Sequence, residues 1–172
     1  IEPKYNPCGQ PRMAIGYNIG GMLALMTKIG LVGLDDRLVR KIADRVSGKK
    51  SEWGIEVTSE QNQVKRLAER LKGKIPVVVA GEHLKGNAKL FCNSINENAK
   101  NFSTFFWLPE ANHHLMEGLM FPAAGKELLR FVFLTSANYS EPIKKRVRAT
   151  IEVIDKNGYH VDEFRTMGGD HR

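Results

Sequence analysis

Cysteine is scarce in this chain: Cys8 and Cys92 are the only two among 172 residues. Their spacing matches no metal-ligand pattern, and so sparse a pair suits a reduced, cytoplasmic protein better than a disulfide scaffold. Long hydrophobic runs are also missing. The longest apolar stretches, such as 75–81, are strand-sized and far short of the roughly 20 residues of a membrane span. Residues 1–12 contain Pro, Asn and Lys but no apolar run, which excludes a signal peptide within them. There is no P-loop and no H-E-x-x-H, and the adjacent pair His113-His114 has no zinc-ligand spacing. The glycine-containing stretch 16–21 precedes a helix with no strand before it, so it is not a dinucleotide fingerprint. No metal and no cofactor is expected. Neither an internal repeat nor a low-complexity tract occurs.

What is present describes an ordinary globular chain. Hydrophobic residues make up 42% and charged residues 26%, and the length suffices for a core without disulfide or metal support. The formal net charge of +7 raises the question of nucleic acid. The basic residues are dispersed, however, and the densest cluster, Lys144-Lys145-Arg146-Arg148, follows a helical pattern and reads as a solvated face. No nucleic-acid partner and no membrane is expected. A positive surplus equally suits a phosphorylated small substrate, and charge alone does not decide.

Residues 1–11 read as a linker or extended entry because of Pro3, Pro7 and Gly9. Helices are predicted over 17–26, ending near Gly30, and over 35–46, where Asp35 or Asp36 can cap. The segment 47–56 reads as a surface loop. A further helix starts at Thr58 or Ser59, with Val64, Leu67, Ala68 and Leu71 spaced for one buried face. Then the pattern changes. Strands are predicted at 75–81, 103–108, 129–134 and 159–166, and they alternate with helices at 86–100, around 113–118 and at 141–155. The run at 75–81 is β-branched and closed by Gly, as a buried parallel strand requires. Strands alternating with helices predict an α/β domain, a three-layer sandwich on a mainly parallel, doubly wound sheet. The chain opens on a helix and stops just after a strand. The expectation is therefore one domain over 12–172 within a longer polypeptide, truncated at its C-terminal end.

In open α/β sheets, ligands bind beyond the carboxyl ends of the strands. The loop after the second strand carries His113 and His114, and an imidazole there suits acid–base work near neutral pH. A surface-loop histidine is the plainer explanation, and composition alone favours it. Glu97 lies between Asn96 and Asn98 near a helix C-terminus, where the helix dipole opposes a negative charge and favours proton uptake. Such a carboxylate suits a base that moves a carbon-bound proton, although solvated helix-end glutamates are common. Arg12, after Pro11, could bind an anion or simply be exposed. Cys92, on an apolar helix face, reads as core.

Taken in order, Pro11-Arg12 with Gly16-Tyr17, then Asn96-Glu97-Asn98-Ala99-Lys100, then Pro109-Glu110-Ala111-Asn112-His113 resembles the second sugar isomerase (SIS) domain of the bifunctional phosphoglucose/phosphomannose isomerases. The stretch 61–68 and the strand after it are similar to the same family. The resemblance runs from about residue 11 to 164, and its two short motifs are specific in combination but weak singly. It implies flavodoxin-like SIS topology and an isomerase that interconverts glucose 6-phosphate, and mannose 6-phosphate, with fructose 6-phosphate through a cis-enediol. It implies Glu97 as the base between C1 and C2, His113 as the residue that helps open the pyranose ring, and Arg12 as the cation that stabilises the enediolate. These residue types suit those roles. Asn96, Asn98, Lys100 and His114 are expected to contact a hexose 6-phosphate. The family also implies a cytoplasmic homodimer with shared active sites.

His114 stands where the family has asparagine, so the ring-opening role stays open between the two histidines. The family's phosphate loop belongs to the first SIS domain, and a lysine linked to ring opening would lie beyond Arg172, so these residues alone are expected to be inactive. The alternatives are another SIS sugar-phosphate isomerase and a regulatory SIS domain that senses a sugar phosphate. Glu97 and His113 together favour catalysis, since a sensor needs neither.

Overall fold

The computed structural model describes residues 3–166. The chain divides into two compact units, Ile1–Arg66 and Leu67–Arg172.

In the first unit, 3-10 turns at Pro3–Tyr5 and Pro11–Met13 occupy the entry segment. They lead into helix α1, Ile15–Lys28, which stops where Gly30 turns to φ +77°. Helix α2, Asp36–Gly48, starts at Asp35, whose carboxylate accepts from the Leu38 amide at 2.7 Å. A single helical turn, α3 (Lys50–Trp53), lies within the predicted loop. The next helix, α4, runs Gln63–Leu71 and so begins later than Thr58 or Ser59. The cause is Asn62. This fully buried residue turns its Oδ1 to the amides of Val64 (3.0 Å) and Lys65 (3.1 Å), capping the helix four residues on.

The second unit is a sheet domain. Strands β1 (Ile75–Gly81), β2 (Thr104–Leu108), β3 (Leu129–Ser136) and β4 (His160–Thr166) pair in the order β2-β1-β3-β4, all parallel. These agree with the predicted strands to within a residue or two, and the order is the flavodoxin-like one. The two central strands carry continuous apolar runs because helices cover both their faces. Val78, Val79, Phe131, Val132 and Phe133 are completely buried, and each such side chain contributes about 1.5–3 kcal/mol of transfer free energy. Helix α5, Lys85–Ser94, joins β1 to β2. After β2 come the short α6 (Ala111–His114) and α7 (Gly125–Leu128). Helix α8, Glu141–Lys156, joins β3 to β4. The β1–α5–β2 and β3–α8–β4 units extend the sheet in opposite directions, and right-handed crossovers therefore put α5 and α8 on opposite faces. At the β4 edge, Asp162 is clasped by Arg70 (2.7 Å) and Arg130 (2.6 Å). The expected truncation point at 168–172 lies outside the described residues.

Between β1 and β3 the strand order reverses. Their ladder ends at the pair Val79–Phe133. Beyond it, the Gly81 amide donates to the Tyr139 hydroxyl, which donates to the Leu134 carbonyl, both at 2.9 Å. A Cβ on Gly81 would lie 3.0 Å from Ile143 Cγ2, so this close approach favours glycine. Glu82 follows at φ +40°. Its carboxylate accepts from the Ser140 amide (3.1 Å) and from the Ser140 hydroxyl. The Ser140 hydroxyl bond is the main reason that its pKa lies below the ordinary carboxylate range.

Candidate active site

Helix α5 does not run on to Lys100 as an α-helix. Over Ile95–Ala99 it widens into a single π turn, and Lys100 ends it in the left-handed conformation at φ +53°. Single π turns concentrate at functional sites, and this one carries Glu97. Side chains hold the turn in place. Asn96 faces Ser103 with both ends of its amide: Oδ1 accepts from the Ser103 amide at 2.9 Å, and Nδ2 donates to the Ser103 carbonyl at 3.2 Å. Lys100 Nζ donates to the Glu97 carbonyl at 2.7 Å, and Asn101 Nδ2 donates to the Lys74 carbonyl at 2.9 Å. The Ser103 hydroxyl reaches the Cys92 carbonyl at 3.1 Å. All five residues from Asn96 to Lys100 are exposed. A groove of about 510 Å³ lies beside the turn, lined among others by Leu71, Pro76, Ile95, Ala99 and Asn101.

Cys92 is buried and donates to the Thr104 carbonyl at 3.0 Å. Burial pushes the pKa of its thiol above the usual value, as fits a core residue and not a nucleophile.

The histidines lie past the other end of β2. Ala111 is buried and roots the short helix α6. Asn112 ties it to α8: its Nδ2 donates to Thr150 Oγ1 at 2.8 Å, and Arg146 Nη1 donates to its Oδ1 at 3.4 Å. His113 and His114 are both exposed. The His114 ring meets Phe106 edge-on at 6.1 Å, and its Nε2 lies 3.8 Å from Glu110 Oε1. His113 stands edge-on to His114 at 6.4 Å. Next to them is a groove of about 380 Å³, lined by Asn112, Met116, Lys145, Arg146 and Thr150 among others. Arg146 and Asn112 are absent from the residues the sequence singles out for chemistry. The signal for Arg146 is the basic cluster at 144–148, which reads as a plain solvated face, and Asn112 stands in the sequence only as a member of the 109–113 motif.

The second unit thus brings Asn96, Glu97, Asn98 and Lys100 onto one turn, and His113 and His114 onto another. It does not bring the two turns together. Glu97 lies at the amino end of the sheet, just ahead of β2, and the histidines lie beyond its carboxyl end. Arg12 belongs to the first unit, where it is half-buried and donates to Gln10 Oε1 at 2.6 Å. Among the described residues, no three His, Cys, Asp or Glu side chains gather as a metal site. No helix among them is long and apolar enough to cross a membrane.

A parallel 2-1-3-4 sheet with helices on both faces defines an α/β sandwich of the SIS type. The chain belongs to the family of bacterial phospho-glucose isomerase C-terminal SIS domains, whose model matches residues 60–171. It is similar to the bifunctional phosphoglucose/phosphomannose isomerase of Caldicellulosiruptor bescii, with 30% identity over 133 residues, 73% of this chain and 37% of that protein. A protein of the same description from Pyrobaculum aerophilum is 32% identical over 109 residues, 63% of this chain and 33% of its own length. A stretch of 52 residues is 44% identical to the D-glucosamine-6-phosphate 4-epimerase of Sulfolobus acidocaldarius, covering 30% of this chain and 17% of that protein. The chain spans only about a third of the length of these isomerases.

Proposed function

We propose that this chain is the catalytic C-terminal SIS domain of an aldose–ketose isomerase that interconverts glucose 6-phosphate, and mannose 6-phosphate, with fructose 6-phosphate. The observation that carries this reading is the family match over 60–171, which contains both the Glu97 turn and the His113 turn. In this reading Glu97 takes the proton from C2 of the open-chain aldose. The electron pair left behind forms the C1–C2 double bond of a cis-enediol as the C1 carbonyl π pair moves to O1, which takes a proton. The same carboxyl then returns a proton to C1 as O2 gives up its own and becomes the ketone oxygen. An exposed carboxylate on a braced turn suits such a shuttle. Arg12 supplies a permanent positive charge to the enediolate oxygen, and His113 exchanges protons with the ring oxygen during opening. His114 is held by Phe106 and Glu110, and this favours His113 for ring opening. Asn98 and Lys100 contact the sugar phosphate from the Glu97 turn.

The separation of Glu97 and His113 within one chain favours sites shared between two copies in a cytoplasmic homodimer. The 172 residues alone are then inactive, because the rest of the site comes from outside them. The test is fructose 6-phosphate formation from both aldoses by the full-length enzyme, followed by mixing of two variants. Glu97→Gln and His113→Ala subunits, each nearly inactive, should regain about a quarter of wild-type activity when randomly paired, since about half the dimers are hybrids with one intact site of two. No activity on either aldose would sink the isomerase reading. Activity without complementation would sink only the sharing.

A further inference from the structure

We propose that Asn96 is a positioning residue that fixes Glu97 through the π turn and does not bind substrate. The proposal rests on the reading of Glu97 as the proton shuttle. Its basis is that the Asn96 amide is already engaged, with acceptor and donor both directed to the main chain of one residue, Ser103, at 2.9 and 3.2 Å. This pairing imitates a rung between two strands and closes the loop from the π turn to the start of β2. Ser103 is itself buried, and its hydroxyl bonds the Cys92 carbonyl in α5. The turn is therefore tied both to the helix it ends and to the strand it precedes. Glu97, the next residue, inherits a fixed Cα position.

The brace matters because a π turn is intrinsically a poor structure. Its wider ring packs its own backbone loosely, so it persists only where its surroundings hold it. Lys100 and Asn101 supply further ties, to the Glu97 and Lys74 carbonyls. Asn96 alone among them is adjacent to Glu97 and uses two bonds. A displacement of about 1 Å at a reacting group can cost up to about 100-fold in rate. Loss of the Asn96 brace therefore reduces turnover even though no substrate contact is lost.

The experiment is a double-mutant cycle in the full-length enzyme with Asn96→Ala, Glu97→Gln and the double variant, and single-turnover measurement for the slow forms. Asn96→Ala should lower kcat by about 10–100-fold and leave KM within about twofold. The double variant should be no slower than Glu97→Gln alone, because a residue that acts through Glu97 has nothing left to position. A general loss of folding would instead multiply into every background. Losses that multiply, a raised KM at normal kcat, or wild-type turnover in Asn96→Ala would each overturn the proposal. If Asn96→Ala does not fold, Asn96→Asp takes its place. It keeps the acceptor for the Ser103 amide and loses the donor, and the same absence of an added loss is expected. A wild-type rate for Glu97→Gln would instead remove the reading of Glu97, an outcome the single variant separates from the rest.

Discussion

Glu97 and His113 lie beyond opposite ends of strand β2. The π turn of Glu97 precedes Thr104, and the helix of His113 follows Leu108. The strand alone covers roughly 16 Å at about 3.3 Å per residue. A hexose phosphate cannot touch both residues of one chain across a packed sheet. If both act on one substrate, one of them must come from another copy, which makes the arrangement of subunits part of the chemistry.

Replacing Glu97 by Gln keeps its size and polar shape but removes the group proposed to carry the C1–C2 proton. Turnover of the full-length enzyme should fall by about 10²–10⁴-fold, with substrate affinity little changed. Steady-state rates of fructose 6-phosphate formation measure this directly. A near-normal kcat would show that Glu97 is not the base.

The two histidines should separate by substrate form. His113→Ala should slow conversion of the cyclic sugar more than that of the open-chain form, which needs no ring opening. His114→Ala should lose its contact with Phe106 and leave that ratio unchanged. The reverse pattern would exchange their roles.

Tyr139 links β1 to β3 where their ladder stops. Tyr139→Phe strands the Gly81 amide and the Leu134 carbonyl, both at a buried position, and should cost about 1–3 kcal/mol in chemical denaturation. Burial also pushes the Tyr139 phenol above its ordinary value of 10.0. The native state thus holds its proton more tightly than the unfolded chain. The wild type should lose stability as pH rises above about 10, and the Phe variant should lack this component of the loss.

Much of this architecture is legible along the chain, and the exceptions have a common cause. The β-branched run at 75–81 and the apolar run through Phe131 declare themselves because a buried strand needs no partner to set its character. Helix α4 was harder. Thr58, Ser59 and Asn62 are all competent caps, and burial of Asn62 selects among them. The π turn has no local signature, since its residues would serve equally well in an α-helix continuing to Lys100. Tyr139 reaches a partner 58 residues away, which no local pattern encodes. The motif residues around Glu97 and His113 were visible as motifs, but their placement at opposite ends of β2 follows only from where α5 delivers the chain.

Glu82 offers a test in acid. Ser140 holds its carboxyl below the ordinary value of 4.5, so the native state binds that proton less readily than the unfolded chain. The stabilisation is present above about pH 4.5 and disappears as pH falls through the lower native value. Thermal melts from pH 6 downward should show a steeper decline for the wild type than for Glu82→Gln. Parallel declines would mean that the Ser140 contact contributes nothing measurable.

The widened turn at Ile95–Ala99 also fixes the reading frame of the helix surface. A π turn holds one residue more than the α-helical turn it replaces, so every position after it is rotated by about 100° relative to an uninterrupted helix. Removing one residue between 95 and 99 would restore the regular spiral while leaving the composition nearly intact. It would also swing the chain that enters β2 out of phase with Ser103. In this domain, a deletion of one residue at this turn should therefore be a larger event than most substitutions on the same helix.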